Sequence, residues 1–306
     1  MACEFSTWFS ASTPDENALK MIESGAMSKQ IDLHAHSTAS DGTLTPAALM
    51  QRAHVAGVGV MALTDHDTLE GLSEAESKAS QLGMGFVPGV EVSVTWEGAT
   101  VDIVGLGADR DDQVLQSGLA RLRDFRDWRA EEIGRRLEKQ GIPGTFEAAR
   151  ALSNGRLISR THFARVLVAR DRAKDLRDVF KRFLVSGKPG FVPGQWAELS
   201  DAVGWIRAAG GEAVIAHPAR YKVTRSKLRR LFGEFAELGG SAIEVVSGSH
   251  SRDDYFTMAH HARDFGLAAS AGSDYHGPEH PWIELGRLPE LPPGCRAIWQ
   301  DWPLNS

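Results

Sequence analysis

The chain has 306 residues, with 34 Lys and Arg against 40 Asp and Glu, and a formal net charge of −6. With 42% apolar and 24% charged residues it reads as an ordinary globular protein, long enough for one large barrel or two domains. A small stapled scaffold is excluded, no apolar run approaches the ~18 residues of a membrane span, and the mild acidity argues against a generic nucleic-acid coat protein.

Residues 1–29 have neither a basic n-region nor an apolar h-region, so they are expected to be a disordered leader rather than a secretory signal. A βα rhythm starts at Gln30. Ile31–Leu33 reads as a strand running into His34; Thr45 and Pro46 cap a helix through Ala56; Val58–Leu63 is a buried strand. A helix over 69–82 and strands over 84–92 and 100–106 follow, and the alternation implies a mostly parallel sheet with helices outside. Residues 111–140 are charged and strongly helical, closed by Gly141 and Pro143, and further helices are expected over 161–170 and 175–185 before the Gly/Pro-rich SGKPGFVPG. The rhythm then resumes with a helix over 200–209 capped by Ser200, a strand over 212–216, a helix over 226–238, a strand over 241–246, a helix over 253–265 and a strand over 267–271. The division implied is a discontinuous barrel over 30–108 and 195–302, with a helical cap inserted over 109–194. Cys3 and Cys295 lie far apart and outside any metal-type spacing, so a reducing, cytoplasmic compartment is expected.

Metal-capable residues fall at the predicted strand ends: His34, His36 and Asp41 after the first, Asp65, His66 and Asp67 after the second, then Glu91, Asp102, His217, and Asp274 with His276. Parallel barrels gather their sites at the carboxyl ends of the strands, where the following loops converge. Residues two apart on extended chain project to the same side, which pairs His34 with His36 and Asp274 with His276. Each residue alone has an ordinary explanation, such as a surface histidine pair or an Asx turn. Together they crowd carboxylates that repel and imidazoles that need partners, a conflict that divalent cations remove; mixed N/O ligation suits Mn, Fe or Zn better than Mg or Ca alone.

The segments DLHAHSTASDGTLTP, ALTDHDTLEG, PGVEVS, AVIAHPARY and GSDYHGP resemble the polymerase-and-histidinol-phosphatase (PHP) superfamily over residues 30–302. The insertion SRTHFARVLV…VFKRFLVSGKPGFVP and the tail PWIELGR…AIWQDW are similar to its branch of 3′,5′-nucleoside bisphosphate phosphatases and 5′→3′ exoribonucleases of the ribonuclease AM type. The resemblance implies an α/β fold, a distorted (β/α)7 barrel (the PHP fold) with an inserted helical cap, and a trinuclear site. One ion would take His34, His36, Glu91 and Asp274, a second Glu91, Asp102 and His217, and a third Asp41, His66 and His276. Asp102 departs from the family, which usually carries His in HIVG.

No Ser or Cys nucleophile with a partnered base stands out, so attack by a metal-bridging hydroxide is the simpler expectation, with Asp65 and Asp67 supporting the ligands. Arg160, His162, Lys188 and Arg220 are the candidate phosphate contacts; Trp128 and Phe191 could stack a base, although core packing is the more ordinary role. The expected activity is removal of the 3′-phosphate of 3′,5′-bisphosphonucleosides and 5′→3′ trimming of short 5′-phosphorylated RNA. It would use two to three divalent ions, manganese first, with nucleotide or short RNA as substrate and neither a membrane nor an obligate protein partner. The alternatives are a phosphatase of another small phosphomonoester, of the histidinol-phosphate type, and a non-catalytic metal-binding module.

Overall fold

Seven strands lie in one sheet in the order in which they occur in the chain: β1 (Gln30–Asp32), β2 (Val58–Leu63), β3 (Gly85–Trp96), β4 (Ala99–Leu106), β5 (Glu212–Ile215), β6 (Ala242–Ser247) and β7 (Ala268–Gly272). The computed structural model describes residues 30–153, 156–279 and 282–302, so the leader expected over 1–29 lies outside the described residues. The Leu33 N–H donates to the Ala271 carbonyl at 2.9 Å, which draws the two sheet edges together into a nearly closed barrel. Helices lie between the strands: α1 (Pro46–Val55), α2 (Leu72–Gln81), α3 (Gln113–Glu138), α4 (Thr145–Leu152), α5 (Arg160–Ala169), α6 (Leu176–Val179), α7 (Leu199–Ala208), α8 (Arg225–Glu237) and α9 (Arg252–Asp264).

The expected parallel rhythm fails at one strand. β3 and β4 form an antiparallel hairpin, and β4 also runs antiparallel to β5, whereas the other neighbours are parallel. The turn explains the reversal: Glu97 and Gly98 both have positive φ, 45° and 79°, as the tightest hairpin connection requires. Other differences are local. α7 is capped at Glu198 without a side-chain bond, not at Ser200. The helix expected over 175–185 is a short α-turn continued by a π-helical segment, Phe180–Leu184. α4 was not anticipated; it starts after Gly144, whose φ of 64° re-aims the chain. No helix among the described residues is long and apolar enough to cross a membrane.

Residues of the six strands β2–β7, among them Val60, Ala62, Val104, Val214 and Ala242, pack with Leu33 and Ile298 into one buried cluster that fills the barrel below the site. A separate cluster built on Ile133, Leu137, Phe163, Leu167 and Leu184 holds the helical insertion together. α3 serves both regions. Its first half, through Leu115, Leu119 and Leu122, packs with the barrel strands and α7, and its second half, through Ala130, Ile133 and Leu137, belongs to the insertion's core. Continuous helix across 26 residues thus fixes the insertion relative to the barrel mouth.

The contact of α3 with α7 is closest at Gly118, where an added Cβ would lie 2.4 Å from the Trp205 indole. Gly118→Val is expected to lower unfolding stability by about 2 kcal/mol through overpacking, read as a reduced urea midpoint with the same slope.

Candidate metal centre

The chain leaving β1 carries His34 and His36 on either side of Ala35, which bridges to Tyr275, so both rings point to one side of the sheet. The loop that follows is tied down by Asp65, whose carboxylate accepts the Ser37 N–H at 2.8 Å, the Ser37 hydroxyl at 2.6 Å and the Ser40 hydroxyl at 2.5 Å. That anchorage turns Asp41 toward His276 Nε2 at 3.2 Å and His66 Nε2 at 4.0 Å. Asp65 therefore acts by shaping the loop.

Glu91 occupies the middle of the cluster. Its oxygens lie 2.9 Å from His66 Nδ1, 3.1 Å from His217 Nε2, 3.3 Å from His36 Nε2 and 3.4 Å from His34 Nε2. Asp274 lies 3.4 Å from His36 and 3.6 Å from His34. Asp102 reaches to 4.0 Å from His217 and accepts the Ser93 hydroxyl at 3.3 Å. It is not at the carboxyl end of its strand. Because β4 is reversed, its early residues lie at the mouth, and Asp102 pairs with Ser93, two residues past Glu91. All nine residues expected as ligands are brought into one cluster, and four overlapping groups have ligand atoms within 4.8 Å of one another: His36/Asp41/His66/His276, His34/His36/Glu91, His34/His217/Asp274 and His66/Glu91/Asp102.

Sequence reasoning missed the residue that aligns two of them. Glu244, buried in β6, accepts His34 Nδ1–H on one oxygen and the His217 N–H on the other, each at 2.6 Å. This fixes the tautomer of His34 with Nε2 facing the cluster, the usual outer support of a metal-bound imidazole. One carboxylate within the otherwise apolar run AIEVV was the available signal. Three non-glycine residues of the site hold left-handed backbone: Asp67 at φ 50°, His217 at 30° and Asp274 at 57°, each costing about 1–3 kcal/mol.

The electrostatics fit divalent cations. Burial opposes protonation of His34, but Glu244 and Glu91 outweigh it and hold its pKa well above the ordinary imidazole range; His36 is likewise pushed up to about 10, against burial, by Asp274 and Glu91. Burial and the neighbouring Glu91 push the Asp102 carboxyl up. His217 Nε2 pairs with Glu91 Oε1 at 3.1 Å, but His66 Nδ1 and Glu91 Oε2, 2.9 Å apart, form no hydrogen bond, and Asp41 Oδ1 is also without a hydrogen-bond partner. Buried nitrogen and oxygen donors converging without hydrogen-bond geometry are a set that cations of the Mn, Fe or Zn type satisfy.

A pocket opens above the cluster, and guanidinium groups line its other wall. Arg126 and Arg129 come from α3, Arg160 from the first turn of α5, and Arg220 from the turn after β5. Arg126 is held by Asp67 Oδ2 at 2.6 Å and donates to the Ser93 hydroxyl at 2.8 Å, so Asp67 acts by placing this arginine. Arg220 donates to Asp274 at 2.6 Å. Arg129 donates only to the Val192 carbonyl, and Arg160 lies over Phe180; neither has a carboxylate partner among the described residues. Burial, with Arg160 and Arg126 adjacent, pushes the Arg129 pKa down to about 9, and burial lowers that of Arg160. The arginine wall thus holds two guanidinium groups that form no ion pair among the described residues.

Two expected phosphate contacts are elsewhere. Lys188 is exposed in its loop, outside the pocket wall. His162 is buried and accepts the Ser159 N–H through Nδ1 as half of a capping box; burial pushes its pKa down to about 4, so it stays neutral. Its partner Ser159 instead donates its hydroxyl to Asp41 Oδ2 at 2.9 Å, joining the insertion to the metal cluster. Trp128 is 53% exposed rather than in the core, Phe191 is half-buried, and the indole in the pocket belongs to Trp196, stacked beneath Arg126 and Arg129.

The sequence profile of the PHP domain matches residues 32–184. The 3′,5′-nucleoside bisphosphate phosphatase of Chromobacterium violaceum is 50% identical over 272 residues, 89% of this chain and 95% of that protein. The 5′-3′ exoribonuclease Rnm of Escherichia coli is 45% identical over 279 residues, 90% of this chain and 95% of that protein. A sulfate-bound structure of an amidohydrolase from Chromobacterium violaceum superposes with a TM-score of 0.85 at 50% identity, covering 88% of this chain and 94% of that one.

Glu244→Gln keeps the shape of the side chain but weakens the hold on His34, and is expected to weaken the affinity for divalent ions roughly 10–100-fold without unfolding the barrel. Metal titration of the stripped protein, followed by circular dichroism, checks both. Asp102→Ala is expected to lower bound metal by about one equivalent in elemental analysis and to cut turnover severely.

Proposed function

The chain belongs to the PHP domain family, and on that premise we propose that it is a metal-dependent phosphoesterase that removes the 3′-phosphate of 3′,5′-bisphosphonucleosides and trims short 5′-phosphorylated RNA from its 5′ end. The observation that carries this reading is the pairing of two sites in one pocket: a His/Asp/Glu cluster on one wall, and on the other Arg129 and Arg160, which lack carboxylate partners. A substrate with one phosphate to be cut and a second to be held matches that pairing. The C. violaceum and E. coli relatives carry names for these two activities, which are one reaction: an internucleotide link is also an ester at a 3′ oxygen beside a 5′-phosphorylated nucleoside.

The nine cluster residues would hold two or three divalent ions, manganese first, with Glu91 shared between them. Such ions supply an activated water near neutral pH and neutralise the oxygens of the phosphate under attack. The protein's own groups do the remaining work. Arg220, fixed by Asp274 at the edge of the cluster, is placed to balance charge gathering on the scissile phosphate. Arg126, Arg129 and Arg160 would receive the 5′-phosphate and so set which ester reaches the ions. Ser159 aligns Asp41 and sits next to Arg160, which ties the arrangement of the insertion to that of the ligands.

Chelation of the purified protein is expected to abolish hydrolysis of a 3′,5′-bisphosphonucleoside, and divalent ions to restore it. Arg160→Ala is expected to lower kcat/KM for that substrate by about 10–100-fold, as removal of a charge-assisted hydrogen bond of ~1.5–3 kcal/mol requires, with far less effect on the matching 3′-monophosphate. Equal losses on the two substrates would overturn the assignment of Arg160 to the 5′-phosphate. Activity that survives complete removal of metal would overturn the mechanism.

A further inference from the structure

Residues 220–230, RYKVTRSKLRR, hold six cations and no carboxylate, in a chain whose net charge is −6. The first, Arg220, lines the catalytic pocket against Asp274. The next residue is anchored on the pocket wall: the Tyr221 hydroxyl accepts the Asp102 N–H at 2.9 Å and donates to the Ala216 carbonyl at 2.8 Å. Lys222 and Arg225 are exposed and have no ion-pair partner among the described residues. Beyond them Lys227 and Arg230 flank Glu97 at the tip of the β3–β4 hairpin, and Arg229 pairs with Asp264. Glu97 lies six residues past Glu91 along the β3–β4 hairpin, so Lys227 and Arg230 sit up to roughly 20 Å from the cluster, with Lys222 and Arg225 between them and Arg220 in the chain.

Four of the six have structural partners, Arg229 and Arg230 also lying over Phe265 and Trp96, but Lys222 and Arg225 have no ion-pair partner among the described residues. Arg225 and Lys227 sit in the first turn of α8, which contains no acidic residue, although the helix dipole favours acids there and disfavours cations. Its N-cap, Thr224, already accepts the Lys227 N–H. The carboxylates that face the strip, Glu97, Asp264 and Glu234, are fewer than its cations and lie toward its outer end.

We infer that the strip from Lys222 to Arg230 carries the phosphate backbone of single-stranded RNA on the 3′ side of the scissile link. The inference rests on the phosphoesterase reading and adds a direction to it. The 5′-phosphate lies against the arginines of α3 and α5, the first internucleotide phosphate at the cluster beside Arg220, and the following nucleotides leave along the strip. A mononucleotide ends before Lys222, so the strip distinguishes RNA from a bisphosphonucleoside.

The test is the double charge reversal Lys222→Glu/Arg225→Glu, at two exposed positions outside the pocket wall. With the metal-loaded protein, kcat/KM for a 5′-phosphorylated ten-nucleotide single strand is expected to fall roughly tenfold, while that for a 3′,5′-bisphosphonucleoside is unchanged. Binding of a hydrolysis-resistant phosphorothioate ten-mer is expected to weaken, with a salt dependence shallower by about 1.4 in log–log slope, at ~0.7 for each phosphate that the variant no longer neutralises. Unchanged ten-mer binding and cleavage would overturn the proposal, as would equal losses on both substrates. If the wild-type protein cleaves neither substrate, the phosphoesterase reading falls; the phosphorothioate comparison still decides whether the strip holds RNA.

Discussion

The site is organised around one buried carboxylate. Glu91 is fully enclosed and has four imidazole nitrogens within 3.4 Å of its oxygens. Such a group needs positive charge around it, as protons or as cations; His217 is in hydrogen-bond geometry with it, while the unbonded contact to His66 fits a shared cation. The position of Glu91 depends on the switch at β3. The strand is parallel to β2 on one side and antiparallel to β4 on the other, so Glu91 meets His66 beside it, while Asp102 arrives from the other neighbour opposite Ser93, two residues further along. A uniformly parallel barrel would have carried position 102 down toward the opposite end.

Rigidity around that centre comes from outer contacts rather than from the ligands. Glu244 holds His34 and the backbone of His217, Asp65 holds the loop bearing Asp41, and Asp67 holds Arg126. Three left-handed residues lie within or beside these contacts. Their conformational cost is tolerated because each is fixed from more than one direction, the condition under which strained backbone persists. The insertion joins the same network through Ser159 and Arg165, both bonded to Asp41. The metal wall and the arginine wall are thus mechanically linked, although they are far apart in the chain.

The cluster was legible because a barrel turns sequence order into convergence: His and carboxylates at successive strand ends need no further information to be placed together. Asp102 joins the cluster for a reason other than a parallel strand end, which was not legible, since periodicity gives no strand direction and the turn at Glu97 and Gly98 lacks the usual Asn-Gly signature. The arginine wall was only partly legible. Arg160 and Arg220 adjoin recognisable features, whereas Arg126 and Arg129 sit in a helix with so many charges that nothing marks these two as buried. Their selection depends on Val192 at the end of the insertion and Trp196 just beyond it. Lys188 misled for the complementary reason: a cation in a Gly-rich loop resembles an anion site wherever that loop goes.

Charge balance gives the aspartate at position 102 a consequence for the arginines. Asp41, Glu91, Asp102 and Asp274 contribute four negative charges to the cluster, enough to match two divalent ions completely. An imidazole at 102 would leave one positive charge more for the incoming phosphate. Electrostatic attraction for the proposed substrate would then come more from the protein than from the ions, and from groups that the cluster does not fully neutralise. Arg220 is partly compensated by Asp274, and Arg126 by Asp67. Arg129 and Arg160 form no ion pair among the described residues, although Asp102 and Asp41 lie close enough to Arg160 to favour its charge. In a pocket of low polarisability those two guanidiniums act strongly on an anion. Aspartate in the metal wall and unpaired arginines in the facing wall are therefore two parts of a single balance.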